Sequence, residues 1–246
     1  MSICYLLSMN ETYNLKAIIL KREPFREHDA RITLYSRERG KLSLIARGTK
    51  KTRSKMAGHL EPITLANIMA VRGKAFDYVG GAASEKCFQG VKGDLEKTGV
   101  AGEAIRKFSS LIKEEEKDEN IFGLFLDFIN ILEEEKNKDF KLISGYFMFK
   151  FLCLSGYRPE LKICVDCGRK IEPGGNFFAL RKGGLVCKTH NCRPDLHNHK
   201  VSDDSIKMLR WVSESDLSNA LKVKTDLKID GEVNNLICSF TNMINS

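Results

Sequence analysis

Signatures of catalysis are missing from this chain. It has no G-x-x-x-x-G-K-[ST] loop to cradle phosphates, no G-x-S-x-G and no H-E-x-x-H. No set of spaced carboxylates stands in a β-framework that would hold magnesium. No apolar run approaches the ~20 residues of a membrane span, so no membrane helix is expected. The N-terminal MSICYLLSM lacks a basic n-region and a small-residue cleavage site, and no signal peptide is expected there. MNETYNLKAIIL, from Met9, is itself a complete-looking start, with Met1 the alternative. The expectation is a binding protein without enzymatic activity.

The 246 residues are 42% apolar, ample for real cores, and carry a formal net charge of +8. That charge is unevenly placed. Residues 1–80 hold fifteen Lys/Arg against seven Asp/Glu, and the remainder holds twenty-five of each. A polyanion is therefore expected to bind the first third of the chain.

That third has β texture. LKAIIL suggests a first strand, and RITLY and LSLIA alternate apolar and polar residues. ITLANIMAV and AFDYVGGA, joined by RGK, suggest a second hairpin. Five short antiparallel strands suit a small barrel, oligonucleotide-binding (OB) or SH3-like. Alternation places Ile32, Leu34, Leu42 and Leu44 inward and Arg31, Tyr35 and Arg47 outward. The turn of the first hairpin adds Arg37, Arg39 and Lys41, and the loop ARGTKKTRSK adds Lys50, Lys51, Arg53 and Lys55. Such cations suit phosphate contacts, with Tyr35 as a candidate base stacker, although a strand tyrosine also suits packing. Glu27 and Asp29 suggest a surface turn.

From Asp94 the period becomes helical: DLEKTGVAGEAIRKFSSLIKEEE, NIFGLFLDFINILEEEKN and DFKLISGYFMFKFLCLSG carry apolar residues at three- and four-residue steps. The acidic runs Glu114–Glu116 and Glu133–Glu135 suggest solvated helix ends. Gly156, with Pro159 beyond, suits a helix stop. SDDSIKMLRWVSESDL and DGEVNNLICSFTNMI suggest two more helices, the first opening on Ser202 as cap.

Cysteine numbers eight, in a pattern that favours metal in reducing, cytoplasmic surroundings over disulfides. Cys164 and Cys167, separated by two residues and followed by Gly168, form a knuckle; Cys187, His190 and Cys192 follow after a short hairpin. A tetrahedral structural zinc needs four ligands, and a closed set leaves no open position for catalysis. Spacing favours His190 as the fourth, and thiolate softness favours Cys192. The string His197-Asn198-His199 spells HNH, but the nuclease motif spreads its residues far more widely, so the string is taken as accidental.

KAIILKREPFREHDARITLYSRERGKLSLIARGTKKTRSKMAGHLEP resembles the opening of the RecO family of bacterial recombination mediators. The likeness is carried by Ala17–Leu20, Glu27-His28-Asp29, Arg37–Lys41, Ala46-Arg47-Gly48, Ser54 and Leu60–Pro62. LSGYRPELKICVDCG is similar to the family's helix end entering its zinc knuckle, and GGLVC follows. His190 stands where that family usually has Cys.

The resemblance implies an α+β multidomain chain. Its parts would be an N-terminal OB-type antiparallel β-barrel (1–83), an α-helical bundle (84–159), an inserted zinc-ribbon-like module (160–200) and C-terminal helices packing on the bundle (201–246). It implies binding of single- and double-stranded DNA, strand annealing and help in loading RecA during recombinational repair. Implied partners are RecR and the acidic C-terminal tail of single-strand-binding protein, in the cytoplasm at the nucleoid. The alternatives are an RNA- or transcription-associated zinc-ribbon module and a zinc-containing HNH-type nuclease.

Overall fold

The computed structural model describes residues 11–50, 54–136, 139–189 and 198–245. The chain is mixed α+β, with strands first and helices after them, and it divides into two compact units. The first runs through Gln89 and also takes Ile112–Phe122; the second takes Gly90–Leu111 and Gly123–Ser246.

In the first unit, β1 (Thr12–Pro24), β2 (Ala30–Ser36), β3 (Gly40–Ala46), β4 (Leu65–Val71) and β5 (Tyr78–Lys86) close on themselves as a barrel in the order β1-β2-β3-β5-β4. Closure falls to β1, whose first half pairs with β4 and whose second half pairs with β2. A register shift between Ile19 and Lys21 lets the long strand bend from one partner to the other. The second seam is short: Ile45 lies parallel to Tyr78, and its N–H donates to the Asp77 carbonyl at 2.9 Å. Leu15, Ile19, Ile32, Leu34, Leu42, Leu44 and Ile68 fill the interior beside small residues such as Ala17, Ala66 and Ala70. The alternation of RITLY and LSLIA thus points its apolar side inward as expected.

The helix that follows, α2 (Leu95–Leu111), stops short of the acidic run. Ile112–Phe122 instead lies along the free edge of β3. Glu114 bridges to Lys41, and the Glu115 N–H donates to the Lys41 carbonyl at 3.0 Å. Glu114–Glu116 are exposed, as expected of an acidic run, but they form a strap on the barrel instead of a helix end. Gly40 makes this approach possible. Its φ is +69°, and a Cβ there would run into the Glu116 carbonyl. Gly40→Ala is expected to cost about 1–2 kcal/mol through backbone handedness alone and to loosen the strap. Urea unfolding together with hydrogen exchange at Glu115 would check both.

The second unit takes most of the single-turn α1 (Gln89–Lys92), then α2, α3 (Glu119–Glu134) beyond its first turn, and α4 (Phe140–Leu154). The Glu133 carboxylate accepts from the Gly90 and Val91 N–H groups at 3.0 and 2.9 Å, so one member of the second acidic run caps α1. α4 is apolar nearly all round and correspondingly buried. Its Phe147 stacks on Phe128 at 4.3 Å, and Phe108 joins Phe125 and Phe151 at 4.7 and 4.8 Å. Three short strands, β6 (Phe177–Ala179), β7 (Gly184–Val186) and β8 (Asn198–Lys200), form a small sheet. Helices α5 (Asp203–Glu214), α6 (Leu217–Ala220) and α7 (Leu227–Ile244) complete the unit, capped by Ser202, Asp216 and Asp226. No helix among the described residues is long and apolar enough to cross a membrane.

Candidate nucleic-acid interface and metal centre

The first hairpin separates its cations into two groups. Ala30 pairs with Ala46 at one end and Ser36 with Gly40 at the other, about 20 Å apart at ~3.3 Å per residue. Arg37, Arg39 and Lys41 stand at the turn end, under the strap. Arg37 pairs with Glu119 at 3.5 Å and Arg39 with Glu115 at 3.1 Å, and the Lys41 ammonium donates to the Ile112 carbonyl at 2.8 Å. The acidic strap partly neutralises this group.

Tyr35 lies under the strap as well, which corrects its placement at an exposed, base-stacking position. It does point away from the barrel interior, but its exposure is 0%. Its ring stacks on Phe122 at 6.3 Å, and its hydroxyl faces the Asp118 carbonyl at 3.4 Å. Burial pushes its hydroxyl pKa well above the usual 10.0. Alternation identified the outer face of β2; it carried no information about what covers that face.

At the opposite end of the hairpin no strap crosses among the described residues. Arg31, Arg47, Lys50 and Lys55 are exposed there or in the loop beyond, while Lys51 and Arg53 lie outside the described residues. Backbone contacts tie the start of the basic loop to the β1–β2 loop. The Gly48 N–H donates to the Asp29 carboxylate at 2.9 Å, and the Lys50 N–H to the His28 carbonyl at 3.1 Å. The Lys50 ammonium reaches the Arg26 carbonyl at 3.1 Å. Asp29 is thus a turn-forming residue, as expected. Arg47 lies over the Tyr78 ring at 4.0 Å, held there by the seam between β3 and β5.

Two aromatics missed in the strand reading complete this end. Phe25, from the β1–β2 loop, meets Phe76, from the β4–β5 loop, edge to face at 5.6 Å. The Arg26 and Arg31 guanidiniums lie 5.2 and 5.1 Å from the Phe25 ring centre. Their signal in the sequence is a phenylalanine beside cations in two inter-strand segments, PFRE and GKAF. A groove of about 440 Å³ runs from Phe76 and Lys74 along β3, past Arg31 and Ser43, to Glu114 and Glu115.

In the second unit the knuckle forms as the spacing requires. Gly168 takes φ +71° and donates to the Cys164 carbonyl at 2.8 Å, closing the turn between the two thiols. β7 then delivers Cys187. The Val165 N–H donates to the Leu185 carbonyl at 2.9 Å, and Gly184 sits so close to Val165 and Glu160 that a side chain would clash. The sulfurs of Cys164, Cys167 and Cys187 all lie within 4.8 Å of one another, with Cys167 and Cys187 at 3.9 Å. Thiolates held at ~2.3 Å around a tetrahedral zinc stand roughly 3.8 Å apart, so the three fit three corners of such a site. The Thr189 hydroxyl, 3.0 Å away, does most to bring the Cys187 thiol down to about 7. His190, Cys192 and His197 lie outside the described residues.

The two halves match two family models, Recombination protein O N terminal over residues 9–87 and Recombination protein O C terminal over residues 92–239. Individual relatives agree. A protein of Dehalococcoides mccartyi named DNA repair protein RecO is 28% identical over 90% of this chain and 86% of its own length. One of Desulforamulus reducens with the same name is 28% identical over 93% and 88%. One of Rubrobacter xylanophilus, also so named, is 32% identical over 74% and 72%.

Proposed function

The chain belongs to the recombination protein O (RecO) family, and on that premise we propose that it is a non-enzymatic DNA-binding mediator of recombinational repair. It would bind single- and double-stranded DNA, anneal complementary strands and assist RecA loading, with RecR and the acidic tail of single-strand-binding protein as partners. A structural zinc on Cys164, Cys167, Cys187 and either His190 or Cys192 would hold the module at residues 160–200 together. Cytoplasmic, nucleoid-associated work follows from that role.

The observation that carries the DNA reading is the open barrel end. There Arg31 lies over Phe25 and Arg47 over Tyr78, Lys50 is exposed in the loop beyond, and Phe76 joins Phe25 where the β1–β2 and β4–β5 loops converge. In barrels of the OB type, strands two and three and these two loops form the oligonucleotide face.

Strand annealing measured across a salt series tests the reading. Charge reversal at Lys50, Lys51 and Arg53 is expected to weaken binding and to flatten the salt dependence, since each lost phosphate contact lowers the slope by about one. Intact binding in that variant would overturn the site. The two groups of cations also separate. Arg31→Ala with Arg47→Ala is expected to reduce the slope by about two, and Arg37→Ala with Arg39→Ala to leave it unchanged, because strap carboxylates already face the latter pair.

A further inference from the structure

We propose that Phe25 and Phe76 form a stacking site for an unpaired nucleobase, so that the open barrel end holds a single strand by a base as well as by phosphates. This rests on the DNA-binding reading above and adds the part of the ligand that is recognised. Duplex DNA keeps its bases stacked inside and can offer this site only phosphate, whereas a single strand can splay a base onto an aromatic face.

The two rings stand outside the barrel core, whose members and packed neighbours do not include them. Phe76 is 42% exposed on the β4–β5 loop and Phe25 is half-buried. A lone exposed phenylalanine needs no explanation. Here two come together from loops about fifty residues apart in the chain, and both loops are held by backbone bonds that do not involve the rings. The Phe25 N–H donates to the Asp29 carbonyl at 3.2 Å, the Gly73 N–H to the Asp77 carboxylate at 3.1 Å, and the Ile45 N–H to the Asp77 carbonyl at 2.9 Å. The loops are therefore fixed without the aromatic pair.

The charge around the rings selects an anion that carries its own flat ring. Arg26 and Arg31 lie over Phe25, and Lys74 is exposed two residues from Phe76. Two of the neighbouring carboxylates are engaged elsewhere: Asp29 with Gly48, and Asp77 with Gly73 and the Tyr13 hydroxyl. A base stacked here leaves both guanidiniums within reach of its flanking phosphates. Beyond Ser43 the groove meets Glu114 and Glu115, which repel a phosphate chain and limit the strand to the basic end.

The test compares three probes of equal length by fluorescence anisotropy: a thymidine oligonucleotide, its abasic counterpart with the same phosphates, and a duplex. The wild-type protein is expected to prefer the thymidine strand over the abasic one by about tenfold, the effect of a single stacked base. Phe25→Leu with Phe76→Leu, which keeps apolar bulk but no stacking face, is expected to abolish that preference, so that the thymidine strand and its abasic counterpart bind alike. A variant that still prefers the thymidine strand overturns the proposal, as does a wild-type protein that binds all three probes alike. Equal loss on all three probes with a lowered melting temperature would make the rings a loop staple and would also overturn it. Failure of the wild-type protein to bind any probe would instead overturn the DNA-binding reading itself.

Discussion

Stripping the proposed zinc from this protein with a strong chelator, or changing Cys164 and Cys187 together to Ser, is expected to open residues 160–200 and leave the barrel folded. Structural zinc contributes on the order of 10 kcal/mol to small finger peptides that are unfolded without it. Less is at stake here, because the module has some apolar packing of its own. Leu161, Phe178, Leu185 and Val201 are buried, and Phe178 meets Phe240 of α7 at 5.5 Å. Three-residue strands cannot hold a sheet unaided, however. The expected readout is loss of one equivalent of zinc together with new protease cleavage between Arg158 and Lys200. Duplex binding by the barrel should stay within about twofold, since the proposed phosphate contacts lie in the other unit. Unchanged proteolysis after complete metal removal would show that packing alone suffices. The fourth ligand is assigned the same way: zinc content should fall in only one of His190→Ala and Cys192→Ala.

Short-range signals in the sequence located most of what this site needs. Period-2 alternation found the β2–β3 hairpin and its inward leucines, and the two-residue spacing of Cys164 and Cys167 found the knuckle. Turn chemistry placed Asp29 correctly. What could not be read was contact between segments far apart in the chain. Glu114–Glu116 follow a helical pattern and continue it in sequence, yet they lie on a strand edge some seventy residues earlier, where Gly40 leaves room and Arg39 and Lys41 offer partners. Tyr35 was misplaced for the same reason. Phe25 escaped notice because loops have no period, and Phe76 because AFDYVGGA reads as strand from its start whereas β5 begins at Tyr78; only closure of the barrel makes the two rings neighbours.

That reassignment of Tyr35 carries the second large effect. A base-stacking tyrosine would be dispensable for folding and costly to DNA binding; a tyrosine sealed beneath the strap has the opposite profile. Tyr35→Ala is expected to destabilise the first unit by about 3–5 kcal/mol, the usual cost of emptying a buried aromatic site, seen as a lower urea midpoint. Tyr35→Phe keeps the stack on Phe122 and loses the long hydroxyl contact to the Asp118 carbonyl, so it should cost less than about 1 kcal/mol and bind DNA with an unchanged salt slope. Alkali gives an independent reading. Burial holds the folded Tyr35 hydroxyl neutral above its ordinary value of 10.0, so the unfolded chain releases this proton first. Its contribution is complete below that pH and is lost as pH rises above it, because deprotonation then favours the unfolded state. Tyr35→Phe should therefore lose less stability than the wild-type protein between neutral pH and pH about 11. Equal alkaline sensitivity in the two proteins, or a Tyr35→Ala variant as stable as wild type, would return this ring to the surface.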